Sequence, residues 1–304
     1  MARNMPTSNP GSALRGVGAR SWRKHSAYVG VVPFLLLVSI FLLWPTVSVV
    51  SGAFQDTSGK FSFGTIRSVL ASAIHLAAFK HSLQVSAITS IAASIIGALF
   101  AWAVSTGKSG GILRRLSLSA SGVLAQFGGV MLTFAFLATF GFNGLITRIF
   151  LTFAPHSFFG HPTWLYSITG LCIVYSFFQI PLMFLVFLPT LDNLKPQWRE
   201  ASDGLGGSTL EYWRHVGIPV LTPAFLGSFL LLFANAFSAY ATAASLISQG
   251  SIITPLEISG AISSETGSSN PALAKALSLG MVVVVVVVMA LYTLLRKRVS
   301  RWEK

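Results

Sequence analysis

Six stretches of about 20 mainly apolar residues, at 29–50, 83–104, 118–140, 165–188, 224–248 and 273–295, dominate the chain. Each is long enough for a helix to cross about 30 Å of hydrocarbon. Lipid offers no partner to an unpaired amide or carbonyl, so every stretch is expected to be helical. That holds even for residues 282–288, seven valines whose β-branching favours strands in water. Only 10% of the 304 residues are charged and 53% are hydrophobic, whereas a soluble domain carries about 25% charged residues. A soluble globular protein is excluded, and the reading is an all-α membrane protein with six transmembrane helices.

The first stretch follows Arg15, Arg20, Arg23 and Lys24, as a secretory signal would. A signal core runs to about 7–15 residues, which this stretch exceeds, so it is expected to stay as an anchor. With both termini in the cytoplasm, sixteen basic residues fall on that side: five in the N-terminal tail, Lys108, Arg114 and Arg115 after the second span, Lys195, Arg199 and Arg214 after the fourth, and five from Arg296 to Lys304. Lys60, Arg67, Lys80, Arg148 and Lys275 remain outside or at that edge. This asymmetry follows the positive-inside rule and predicts a multi-pass membrane protein with both ends in the cytoplasm. The net charge of +13 is spread beside apolar spans rather than over one folded face, so membrane lipid headgroups are its expected partner and nucleic acid is not.

No enzyme site emerges. Gly107-Lys108-Ser109 imitates the end of a phosphate-binding loop, but Trp102 stands where the loop's first glycine belongs. His75 and His81, and His156 and His161, lack a third ligand at helical spacing, and Cys172 is the single cysteine. Catalytic residues, metal and cofactor are therefore all expected to be none. Outer segments 56–80 and 141–162 are expected to hold short interfacial helices, and 249–271, with Glu257 and Glu265, a solvated loop.

One polar segment lies between apolar spans four and five. Pro196 suits a first helical turn, Gly204, Gly206 and Gly207 break the helix, and Ser208 with Glu211 forms a capping box that starts a second helix near Thr209. Pro219 and Pro223 are expected to end it. Leu210, Tyr212, Trp213 and Val216 are more apolar surface than a free loop exposes, so the segment either packs on its own helix ends or docks into another protein. Among amides and hydroxyls inside spans, Gln84, Gln126, Gln179, Asn235 and Tyr240 are expected mostly to tie helices together, with a minority lining a pathway. Gln179, just before Pro181, is the first choice for a path residue. No charge is placed deep in a span, and no broken-helix pair is visible.

Glu200-Ala201-Ser202, then Gly206, then Val216-Gly217-Ile218-Pro219, resembles the Glu-Ala-Ala, Gly, Ile-x-Leu-Pro signature of permease subunits of binding-protein-dependent ABC importers. Ser202, Val216 and Ile218 depart from it modestly. Residues 96–102 look like the family's second-span pattern. Phe237-Ser238-Ala239-Tyr240 looks like the spermidine/putrescine, ferric-iron and phosphonate branch.

The resemblance implies a type I ABC importer permease fold: a disordered tail (1–26), a first span with its outer segment (27–82), a permease core (83–295) with a coupling loop (191–222), and a basic tail (296–304). It implies that Glu200, Ala201, Ser202, Gly206, Tyr212, Trp213, Val216, Ile218 and Pro219 form a coupling helix that docks on an ABC ATPase. Glu200 would make polar contact, Ala201 and Ser202 would permit close approach, and Gly206 would turn the backbone. The partners implied are ATPase subunits, a second permease subunit (self or sister) and an extracytoplasmic solute-binding protein. Gln126, Gln179, Asn235 and Tyr240 are the candidate pathway. The alternatives are a secondary transporter or channel driven by ion gradients, which normally needs intramembrane acids or broken helices, and a non-transport scaffold.

Overall fold

The computed structural model describes residues 31–56, 59–107, 110–153, 162–247, 253–263 and 269–299, with the backbone alone for 295–299. Helices account for nearly all of them. The first span, α1 (Val31–Ala53), leads through a short bridge between Gln55 and Phe61 to α2 (Gly64–Ala71). Then come α3 (Ala73–Ser105), α4 (Ile112–Gln126), α5 (Gly129–Phe140), α6 (Leu145–Phe153) and α7 (Ile168–Asp192). The loop helices α8 (Pro196–Gly204) and α9 (Thr209–Tyr212) precede α10 (Ile218–Ser238), α11 (Ala241–Leu246), α12 (Thr254–Ile262) and α13 (Pro271–Val299). Among the described residues, six helical stretches are long and apolar enough to cross a membrane.

The core is organised around the crossing of α3 and α7. A stripe of small residues on α3 (Ser86, Ser90, Ala93, Ser94, Gly97 and Ala101) is buried, and small side chains let two membrane helices approach to backbone contact. At Gly97 the approach is closest, since a Cβ there would lie 2.8 Å from the Ile180 carbonyl and 2.6 Å from the Met183 Cβ. Below the crossing, Met183, Phe184, Leu188 and Leu232 fill one apolar cluster; above it, Leu132, Leu165, Leu171 and Tyr175 fill another.

Two of the expected apolar stretches are not single helices. The third divides at Phe127 and Gly128, where Gly128 is extended and Gly129 takes φ 68°. The fifth ends at Ser238, turns through Ala239 and Tyr240, and resumes as α11. The expectation of unbroken helices at 118–140 and 224–248 is thus corrected: the candidate spans are Gly129–Phe153 and Thr209–Ser238, and the breaks lie at their ends. Irregular backbone beside lipid needs partners from protein or water, and here protein supplies them. The Tyr175 hydroxyl donates to the Ala239 carbonyl at 2.7 Å, and the Thr133 hydroxyl to the Thr242 carbonyl at 3.2 Å. Ser245 donates to the Thr133 hydroxyl at 2.8 Å.

The short helix α12 holds a second correction. Glu257, expected in a solvated loop, lies on α12 at 7% exposure, with its Oε2 3.0 Å from His75 Nδ1. Thr254 lies beside Ser82, whose hydroxyl accepts the Thr254 amide at 2.8 Å. These polar contacts hold α12 against α3; α2 is a short helix within 56–80, whereas α6, within 141–162, completes the third candidate span, Gly129–Phe153.

Replacing Gly97 with alanine forces α3 and α7 apart against a backbone oxygen. The expected cost is about 2 kcal/mol, read as a lower thermal unfolding midpoint of the purified protein in detergent. An unchanged midpoint would show that the crossing is not close-packed.

Candidate coupling elbow and pathway

The segment between spans four and five is a rigid elbow. Pro196 opens α8 at its first turn, as its fixed φ and missing amide favour. At the other end the Gly207 amide donates to the Ser202 carbonyl at 2.9 Å and the Gly206 amide to the Asp203 carbonyl at 3.0 Å. This pair of bonds is a Schellman closure, which needs a left-handed residue, and Gly206 supplies it at φ 78°. One residue on, the Ser208 hydroxyl accepts the Glu211 amide at 3.3 Å, and Glu211 Oε2 accepts the Ser208 amide at 2.6 Å. The capping box therefore starts α9 where the sequence places it.

The prolines behave differently from expectation. Instead of ending the helix, Pro219 follows a wide turn at Trp213–Gly217, where the Ile218 amide reaches back five residues to the Trp213 carbonyl. A proline ring crowds the carbonyl four residues before it, and a π turn relieves that clash. Residues Thr209–Ser238 consequently form one rod of 30 residues joining the loop to the membrane. The same device precedes Pro45 in α1, where the wide turn is Ser39–Leu43.

Self-packing and exposure divide the elbow between them. Tyr212 is 5% exposed, Trp213 stands edge-on to Trp102 with ring centroids 6.4 Å apart, and Val216 is half-buried. These three brace the arm against its own helices rather than presenting a docking face, a correction to their expected role. Glu200, Ala201, Ile218 and Pro219 are exposed, Ser202 is half-buried, and Leu205 and Leu210 are 90% and 77% exposed. Leu205 was missed in the sequence, although a leucine between Gly204 and Gly206 has no helical face to pack with. Arg114 at the start of α4 makes a two-pronged bond to Asp192 at the end of α7, which ties down the base of the elbow. That bond raises the guanidinium pKa.

Three of the four pathway candidates gather at the breaks. Gln126 ends α4, Tyr240 sits in the turn of the fifth span, and Asn235 is about one helical turn before it; all three are exposed. The two breaks approach each other, since a Cβ on Gly129 would lie 3.6 Å from that of Ala241. Tyr240 also shares a 2.9 Å hydrogen bond with Ser259 of α12. Gln179, expected first, is fully buried; its amide donates to Thr89 at 3.1 Å. It ties α7 to α3 and lines no surface. Among the described residues, no group of three or more metal-ligating side chains occurs.

The chain therefore combines six apolar helical stretches, two helix breaks that meet and a two-helix elbow. No family model matches the sequence. The chain resembles the ferric transport system permease protein FbpB of Actinobacillus pleuropneumoniae, at 24% identity over 67% of this chain and 29% of that one. It also resembles the sulfate transport system permease protein CysT of Salmonella typhimurium, at 26% identity over 68% of this chain and 69% of that one. The chain thus spans under a third of the ferric permease's length.

Its fold matches a crystal structure of a bacterial ABC transporter involved in import of the acidic polysaccharide alginate, with a TM-score of 0.71, 13% identity and coverage of 92% of this chain and 99% of that one. A structure of a bacterial alginate ABC transporter in complex with alginate pentasaccharide-bound periplasmic protein gives a TM-score of 0.70 at 14% identity, covering 93% of this chain and 98% of that one. The chain thus resembles transport-system permeases in sequence and shares the fold of an ABC importer chain, and its six long apolar helices make it a multi-pass membrane protein. Permeases of this kind are not themselves enzymes, and an ion-gradient-driven carrier finds no support.

Two neighbouring glycines give a paired test of the elbow. Gly206→Ala places a side chain at φ 78° and should cost about 1 kcal/mol, whereas Gly204→Ala, inside a helix with open space around it, should be neutral or stabilising by up to about 1 kcal/mol. Hydrogen exchange of the amides of residues 206 and 207 should quicken in the first variant alone.

Proposed function

We propose that the chain is the transmembrane permease subunit of an ATP-driven solute importer, with the elbow between spans four and five as the handle by which a cytoplasmic ATPase moves it. One observation carries this reading: an arm stiffened by a Schellman closure, a capping box and the packing of Tyr212 on Trp213 leaves Leu205, Leu210 and Glu200 exposed. Exposed apolar side chains on a rigid support are what a docking partner buries. The resemblance of 200–219 to the coupling signature supports the same assignment, with Ala201 and Ser202 keeping the contact surface flat and Gly206 fixing the angle between α8 and α9.

The partners are ABC ATPase subunits, which hydrolyse ATP; a second permease subunit, self or sister; and an extracytoplasmic solute-binding protein that delivers the solute. The elbow and both tails are assigned to the cytoplasm, which their basic residues support, and α2 and α12 to the opposite side. ATPase closure would push on α8 and α9, and the 30-residue rod would carry that push to the break at Ala239 and Tyr240. Gln126, Asn235 and Tyr240 line the pathway there. All are uncharged, so the pore offers hydrogen bonds while the binding protein supplies selectivity. The permease core at 83–295 holds these parts, with the first span and the two tails outside it.

Glu200→Ala, Leu210→Glu and Gly206→Pro should each abolish ATP-driven uptake while leaving membrane insertion and the amount of protein unchanged. Leu210→Glu should also prevent co-purification with the cognate ATPase. Normal uptake in all three variants would remove the elbow from the transport mechanism.

A further inference from the structure

At the joint between elbow and membrane, the structure leaves an apolar groove of about 560 Å³ walled by the ends of α3, α7 and α10. Ile95, Leu99 and Trp102 form one wall, Phe187 and Leu191 the floor, and Trp213 stands at the mouth. Along α3 the groove extends from Ile95 to Trp102, about 10 Å at 1.5 Å per residue, much of one leaflet's hydrocarbon depth. Ile95, Leu99 and Trp102 are also exposed on the outer surface of the bundle, so the groove opens sideways to lipid. Water has almost nothing to bond there, and apolar cavities much smaller than this stay dry.

We propose that the groove is a binding site for one acyl chain of an anionic phospholipid of the cytoplasmic leaflet. Its mouth carries the marks of an interfacial anchor: Trp102 and Trp213 pack edge to face at 6.4 Å, and amphipathic indoles favour headgroup depth. The residue after Trp213 is Arg214, exposed and with no acidic partner among the described residues. A phosphate at the mouth would meet that cation while its chain fills the space below. The bound chain would press on Trp213 and Leu221, on either side of the wide turn, and so brace the joint through which the elbow drives α10. The site thus deepens the coupling reading, but the lipid is detectable without transport.

The test uses the purified, delipidated full-length protein in detergent. Phosphatidylglycerol should raise its thermal midpoint by several degrees in a saturable way, and phosphatidylcholine should do so less. Leu99→Trp, which projects from the exposed wall into the groove, should keep the starting midpoint and lose most of the rise; Ala98→Phe is the second filling variant. Arg214→Gln should reduce the preference for phosphatidylglycerol over phosphatidylcholine. Phosphatidylglycerol with a brominated chain should quench Trp213 fluorescence, measured as the difference from a Trp213→Phe control. An equal rise in both filled variants, or no quenching of Trp213, would overturn the proposal. A filled variant that loses dimers in light scattering would assign the groove to a second copy of the chain instead. If the lipid effects hold while the elbow variants transport normally, the site survives and the coupling reading fails.

Discussion

Every backbone amide and carbonyl within the hydrocarbon must find its partner inside the protein, and this requirement decides where the chain can be irregular. Most of each span meets it with uninterrupted helix. The two breaks meet it with hydroxyls: Tyr175 caps the Ala239 carbonyl, and Thr133, Thr242 and Ser245 link the halves on either side. Such groups are worth having in lipid only when satisfied, because an orphaned one costs more there than in water. The breaks therefore sit together, where each supplies part of what the other lacks.

The close crossing of α3 and α7 makes that pairing possible. With Gly97 and its small neighbours at the contact, the two helices share backbone surface rather than side-chain volume. Gln179 then bonds Thr89 across the seam and sets its register. At the elbow end of the bundle the Arg114–Asp192 fork holds α4 to the end of α7, which fixes the origin of the elbow. Exposed pairs of this kind contribute about 1 kcal/mol or less, so its importance lies in geometry more than in stability.

Much of this was legible in the residues. Apolar stretches of span length gave the helices, because nothing else is stable in lipid, and local chemistry gave the elbow: a proline at the first turn, three glycines and a Ser-x-x-Glu box. Gly128-Gly129 could have been read as an interruption of the third span. The break at Ala239 could not, since neither glycine nor proline marks it and its cause is a hydroxyl 64 positions away in the chain. Tyr212 and Trp213 were ambiguous for a similar reason: aromatics can brace or dock, and only Trp102, more than a hundred residues earlier, decides for bracing. Glu257 was hidden because its partner His75 lies 182 residues away.

The wide turn beneath α10 also sets an angle. A π turn adds one residue without adding a turn, so all that follows is rotated by about 100° from where a plain helix would carry it. Asn235 thus owes the direction it faces to the insertion at Trp213–Gly217 as much as to its own neighbourhood. Were that turn to tighten, the far end of the rod would revolve about its axis and advance by about 1.5 Å. A helix built this way can act as a key as well as a lever.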